Sequence, residues 1–169
     1  MIRKQYEEAA RFHGHACPGL AIGVRAAAEA LRLLEITERD DKDLVCVLES
    51  LACYADGIQV LTGCTLGKSN LKLRATGKTA FSFYRPSTGK SVRLVLKALP
   101  EGLDRPGKTE FILTAPLEEV FAVGAPRAGI PPDRERSPER VCPVCGESVR
   151  EDFLREKDGV MVCPDCVEE

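Results

Sequence analysis

Two C-x-x-C pairs close the sequence, Cys142-Pro143-Val144-Cys145 and Cys163-Pro164-Asp165-Cys166, with 17 residues between them. No other feature restricts the fold so tightly. Each pair offers two sulfurs at a spacing suited to one tetrahedral ion, and the segment around Val149 to Val162 reads as a hairpin that joins them. So short a module cannot bury enough apolar surface to fold alone, and metal binding, worth on the order of 10 kcal/mol, supplies the missing stability. Residues 140–169 are therefore predicted to form a four-cysteine zinc ribbon. Four protein thiolates leave no open position, so zinc at Cys142, Cys145, Cys163 and Cys166 is expected to be structural. A pair of redox-active dithiols is the alternative.

The other concentration of chemistry is Phe12-His13-Gly14-His15-Ala16-Cys17-Pro18-Gly19, which holds both histidines of the chain. Pro18 suits a first helical position, which makes Cys17 the N-cap of the apolar pattern that follows. A thiol there faces unpaired backbone N–H groups and the positive end of the helix dipole, so its thiolate is favoured. A second thiol, Cys53, stands at the start of another helical pattern, with Asp56 one turn on. If the two helix starts converge, His13, His15, Cys17 and Cys53 form a candidate site for zinc or another divalent transition metal. Reactive thiolates are the alternative use of the same residues, and separate buried cysteines the bland one. Eleven residues of helix span roughly 16 Å, so Cys64 cannot share an ion with Cys53 of the same subunit if that helix is unbroken. Cys64 then belongs to a second part of the pocket or to a site completed by another subunit. Cys46, inside an apolar run, reads as core.

Along the chain, residues 2–11 read as a short helix ended by Gly14. Leu20, Val24, Ala27, Leu31 and Leu34 make one apolar stripe over Pro18 to Glu35. After a charged turn, Thr37 to Asp43, the run Leu44 to Leu48 suits a strand covered on both faces. Ala52 to Thr62 reads as a helix closed by Gly63. Leu71 to Ala75, Thr79 to Tyr84 and Ser91 to Ala98 read as strands of an antiparallel sheet with one covered face. Thr114 is expected to cap a last helix, Pro116 to Val123. Gly63-Cys64-Thr65-Leu66-Gly67-Lys68-Ser69 is not a P-loop, because three residues rather than four separate its glycines and it follows a helix. Lys68 and Asn70 could still meet an anionic or carbonyl group, with a solvated loop lysine as the plain alternative.

The expected architecture is α+β: helices on a mostly antiparallel sheet over residues 1–124, a Pro/Arg-rich linker over 125–139, and the ribbon. A net charge of −2 argues against nonspecific nucleic-acid binding, although Arg127, Arg134, Arg136 and Arg140 make the linker basic. The acidic N-terminal stretch lacks the apolar run of a signal peptide, and no membrane span is evident. A cytoplasmic location follows as the expectation, and there eight cysteines point to metal or redox chemistry before disulfides.

With His13-Gly14-His15-Ala16-Cys17-Pro18-Gly19, Cys53-x-x-Asp56-x-x-Gln59 and Gly63-Cys64-Thr65-x-Gly67-Lys68-x-Asn70 in that order, the chain resembles the FmdE family of formylmethanofuran dehydrogenase subunits over residues 10–123. The resemblance implies an α+β domain, a homodimer, and a metal-binding pocket around the His and Cys residues of the first motif and the Cys and Asp of the second. The leading functional expectation is a metal-binding protein. His15, Cys17 and Cys53 hold an ion or present thiolates, and His13, Asp56, Cys64 and Lys68 stand in the outer pocket. The competing expectation is an accessory or regulatory module that senses a metal or metabolite and docks on a protein or nucleic acid through its ribbon. Enzymatic activity is a third, for which the sequence names no substrate.

Overall fold

In a computed structural model that describes residues 1–37, 42–133 and 137–168, the chain forms two units, Met1–Pro131 and Pro132–Glu169. Arg134 and Arg136 of the basic linker, and most of the charged turn after Thr37, lie outside the described residues.

The first unit begins with α1 (Ile2–His13), stopped at Gly14, whose φ of 88° is open to glycine at little cost. Next is α2 (Pro18–Leu33), capped by Cys17 as the sequence predicts. Strand β1 (Val45–Leu48), α3 (Tyr54–Thr62), β2 (Leu71–Leu73), β3 (Ala80–Arg85) and β4 (Lys90–Leu96) follow. The sheet runs in the order β2-β1-β3-β4-β5, with β5 at Phe121–Gly124. β1 and β2 are parallel and every other pair is antiparallel.

One sheet face carries Cys46, Leu48, Phe81, Phe83, Val92 and Leu94, which join Leu20, Val24, Ala27 and Ile58 of the helices in one core. Buried β-strand side chains alternate as expected, but the opposite face is not simply solvated. Ser82 and Arg93, paired across β3 and β4, are 4% and 6% exposed. Here Arg93 Nε donates to Glu49 Oε1 at 2.7 Å, while Thr76 Oγ1 donates to Glu49 Oε2 at 2.7 Å. A buried pair of this kind is tolerated because each charge has a partner and further hydrogen bonds.

The C-terminal third of this unit departs from the sequence reading. A helix, α4 (Arg105–Thr114), occupies residues to which the sequence reading assigns no element, and Thr114 is its last residue rather than the cap of the next one. Its apolar pattern is weak, but Asp104 accepts from Gly107 N at 2.7 Å and Pro106 stands in the first turn, an N-terminal signature the periodicity argument overlooked. The helix expected over Pro116 to Val123 is only the short α5 (Leu117–Val120), after which the chain turns into the edge strand β5. Buried Arg25 of α2 fixes α4 from below. Its guanidinium donates to the carbonyls of Leu113 at 2.8 Å, Ala115 at 3.0 Å and Ile112 at 3.3 Å, satisfying the C-terminal carbonyls that a helix leaves unpaired.

The second unit has two hairpins, β6 (Glu139–Val141) with β7 (Ser148–Arg150) and β8 (Arg155–Lys157) with β9 (Val160–Val162), then α6 (Pro164–Glu168). Its core is little more than Cys142, Val162, Cys163 and Cys166.

Helices α2 and α3 touch backbone to backbone. A Cβ on Gly23 would lie 2.1 Å from the Tyr54 carbonyl oxygen, and one on Gly57 would lie 2.8 Å from Val24 N. Gly23→Ala is therefore expected to cost at least about 1–3 kcal/mol, read as a lower urea midpoint. Gly67→Ala, with open space around it, serves as the unchanged control.

Arg93 holds the Glu49 carboxyl down to about 2, below its ordinary 4.5. A depressed carboxylate stabilises the fold fully above its unfolded value, and that contribution fades as pH falls from about 4.5 towards 2. Glu49→Gln, which leaves a buried guanidinium without its counter-charge, is expected to cost about 3–5 kcal/mol at pH 7. In urea unfolding the gap to the parent protein should be clearly smaller at pH 3.

Candidate metal centre

The sequence places two cysteines at two helix starts, and the glycine contact between α2 and α3 brings those starts together. Cys17 Sγ accepts from Leu20 N at 3.3 Å, and the Cys17 carbonyl accepts from Tyr6 Oη of α1 at 3.1 Å. This fixes the thiol at the N-terminus of α2. Cys53 stands at the N-cap of α3 with helical backbone angles and no capping bond from its side chain, unlike Cys17. It packs against Gly19, where a Cβ would come within 3.2 Å of Cys53 Cβ, 3.6 Å of its sulfur and 3.9 Å of the Cys17 sulfur. Gly19 thus makes room for the pair of sulfurs.

His13 ends α1 and enters from the third side. Its Nδ1 lies 2.7 Å from Asp56 Oδ2, in the first turn of α3. A carboxylate at this distance fixes the ring orientation and places the Nδ1 proton, leaving Nε2 as the lone-pair nitrogen. That Nε2 is buried and has no hydrogen-bond partner. His15, one residue beyond the turn at Gly14, is exposed, with its ring 4.5 Å from that of His13.

One ligand atom from each of His13, His15, Cys17 and Cys53 lies within 4.8 Å of the others. This juxtaposition suits a single ion with mixed sulfur and nitrogen ligands. The electrostatics agree. Burial pushes the Cys53 thiol up, and the neighbouring Cys17 sulfur and Asp56 add to the rise. Two crowded thiols resist becoming two thiolates, and a divalent cation between them removes that penalty. The orphaned Nε2 and the paired sulfurs therefore fit a metal ion. A cavity of about 420 Å³ opens beside Cys17, lined also by Arg3, Tyr6, Arg105, Thr109 and Leu113.

Two residues assigned to the outer pocket stand elsewhere. Cys64 is fully buried just past Gly63, at the end of α3 away from Cys53, and its thiol donates to the Leu44 carbonyl at 3.4 Å beside Cys46. The cluster does not include it, because an unbroken helix separates the two cysteines. Lys68 is exposed on the loop after α3. Asn70 spends its side-chain oxygen on Thr65 N at 3.0 Å and closes that loop. The sequence reading missed Tyr6, since no periodicity links a residue of α1 to a backbone carbonyl past the next turn. It also missed Gly57, whose role is visible only once α2 lies against it.

In the second unit, ligand atoms of Cys142, Cys145, Cys163 and Cys166 also lie within 4.8 Å of one another. Cys142 Sγ accepts from Cys163 N at 3.4 Å, and the backbone N–H groups of Cys145 and Cys163 pull its thiol down to about 6. Backbone donors aimed at sulfur favour the thiolate, the form that binds metal.

Comparison with known proteins places these features. A relative from Archaeoglobus fulgidus, described as a probable S-adenosyl-L-methionine-binding protein, is 38% identical over 94 residues, 53% of this chain and 26% of that protein. The chain thus spans about a quarter of that relative's length. Among solved structures, a tungsten formylmethanofuran dehydrogenase FmdE-like protein from Syntrophus aciditrophicus superposes with a TM-score of 0.70 at 22% identity, covering 98% of this chain and 91% of that one. At that identity the likeness speaks to the fold. The family model described as FmdE, molybdenum formylmethanofuran dehydrogenase operon, matches residues 12–122, well over half of the chain and all four residues of the first cluster, and the protein belongs to that family.

Proposed function

We propose that this protein binds two metal ions of different purpose. The first unit holds a borderline-soft divalent ion, zinc foremost, between His13, His15, Cys17 and Cys53. The second holds a structural zinc between its four cysteines. The buried, unpartnered Nε2 of His13 carries the reading of the first site, because burying a polar nitrogen without a partner costs on the order of 1–3 kcal/mol unless something occupies it. Asp56 is a positioning residue there. By holding Nδ1 it sets which nitrogen faces the ion. Cys17 and Cys53 supply the charge that neutralises a divalent ion.

The ribbon's small core supports a purely structural role for its zinc, since so few buried residues cannot hold two hairpins and a helix together. None of the eight cysteines is in a disulfide, which fits a reducing cytoplasmic setting, and the family resemblance favours a homodimer. No helix among the described residues is long and apolar enough to cross a membrane. A second reading, in which the ribbon docks on another protein, is favoured by Val141 and Val144, 68% and 63% exposed, and by the similarly open Val160 and Met161. The small negative net charge fits a protein partner better than a nucleic acid.

Elemental analysis of the purified chain should find two ions per chain, one for each cluster. A Cys17→Ser, Cys53→Ser double variant should retain one, and an unchanged metal content in it would reject the first site. Chelation should unfold the second unit at a competitor concentration that leaves the sheet of the first unit intact. Amide exchange can report this through collapse of protection at β6 to β9 while β3 and β4 stay protected.

A further inference from the structure

The four members of the first cluster are not held alike. Cys17 is buried and its sulfur is tied to Leu20 N; Cys53 is wedged against Gly19; the His13 ring is largely buried and pinned through Asp56. His15 stands on the turn between α1 and α2 and is exposed; its ring lies 4.5 Å from that of His13, and among the described residues its side chain makes no hydrogen bond. Three ligands are fixed in place before any ion arrives, while the fourth has no hydrogen bond to orient it.

Resting on the reading of this cluster as a metal site, we infer that His15 is an exchangeable ligand whose departure opens one coordination position to a low-molecular-weight thiol. The ligands that remain, two thiolates and one imidazole, make a soft set that prefers another sulfur donor over water or a carboxylate. A divalent ion with two thiolates is neutral, so one further anionic sulfur leaves a complex of modest charge. In the exchange, one ring nitrogen of His15 gives up its bond to the ion, the incoming sulfur forms one, and the thiol proton leaves to solvent. No electron changes hands. Departure of His15 takes the ring onto an exposed turn, where water can hydrogen-bond it. Loss of His13 would instead break the Asp56 contact and leave a buried nitrogen unpaired. The order of lability follows from burial and second contacts: His15 leaves first and His13 stays.

The test uses the full chain loaded with cobalt(II) at both sites, whose visible bands report ligand identity. The Cys17→Ser, Cys53→Ser variant loaded in the same way supplies the ribbon's spectrum for subtraction. Titration with 2-mercaptoethanol should change the first-site bands of the parent saturably. In His15→Ala the first site should keep its cobalt and respond at a thiol concentration lower by about tenfold or more, because the competing internal ligand is gone. His13→Ala should lose first-site cobalt. First-site bands indifferent to thiol in both the parent and His15→Ala would overturn the inference, as would loss of cobalt from His15→Ala as complete as from His13→Ala. A parent chain that takes up only one cobalt would end the reading of the cluster as a metal site, and this inference with it.

Discussion

The first unit depends on two helices that meet without side chains between them. At the crossing of α2 and α3, Gly23 lies against the Tyr54 carbonyl and Gly57 against the backbone of Leu20 and Val24. Interiors pack to near-crystalline density, so an extra methyl at either glycine has no void to enter. The functional consequence lies at the ends of the helices. Cys17 precedes α2 by one residue and Cys53 precedes α3 by one, so the separation of their sulfurs is set by how closely the axes approach. Gly19 repeats the device nearer the site, where a side chain would press on both sulfurs. Packing and chemistry are therefore a single constraint.

Around that contact, two buried charged groups tie one element to another. Arg25 joins α2 to the carbonyl end of α4, and Glu49 joins β4 to the turn after β2 through Arg93 and Thr76. In both cases a charge removed from water has several partners, the condition under which burial of a charge is tolerated. His13 is arranged differently. One nitrogen has its carboxylate and the other has nothing, although the ring is 13% exposed. An unsatisfied nitrogen beside two thiols has the character of a binding group rather than of a structural one.

What could be read from the sequence divides along a physical line. Local chemistry was legible. Pro18 announced the start of α2 and made Cys17 its cap, Gly14 and Gly63 marked helix ends, and two C-x-x-C pairs announced the ribbon cluster. Convergence of the His13 to Cys17 turn on Cys53 could only be posed as a condition, because it depends on a crossing that two glycines permit and no periodicity encodes. The misses share a cause. α4 is anchored by a guanidinium from α2, more than eighty residues earlier, and has only a cap and a proline to declare it locally. β5 was absorbed into a helix because Phe121 and Val123 suit either period until β4 offers an edge to pair with. The length of α3, which already argues against Cys53 and Cys64 sharing an ion, carries Cys64 into the core beside Cys46.

The two clusters solve the problem of holding a metal in opposite ways, and the difference bears on what each can do. In the ribbon the candidate ligands come before the fold: four cysteines and a core of a few residues, so a bound ion would be part of the structure and could not be exchanged without unfolding it. In the first unit the fold comes before the ligands. A five-stranded sheet and the packed helices stand on their own core, and three of the four ligands are fixed to helix ends by contacts that involve no metal. A site built this way can lose or gain a coordination bond without losing its shape, because the energy that holds it comes from elsewhere in the molecule. Preorganised ligands of that kind are required wherever an ion must accept something other than its own protein. On the proposed reading, exchange at a metal belongs to the first cluster, at His15, the one candidate ligand the fold leaves untied.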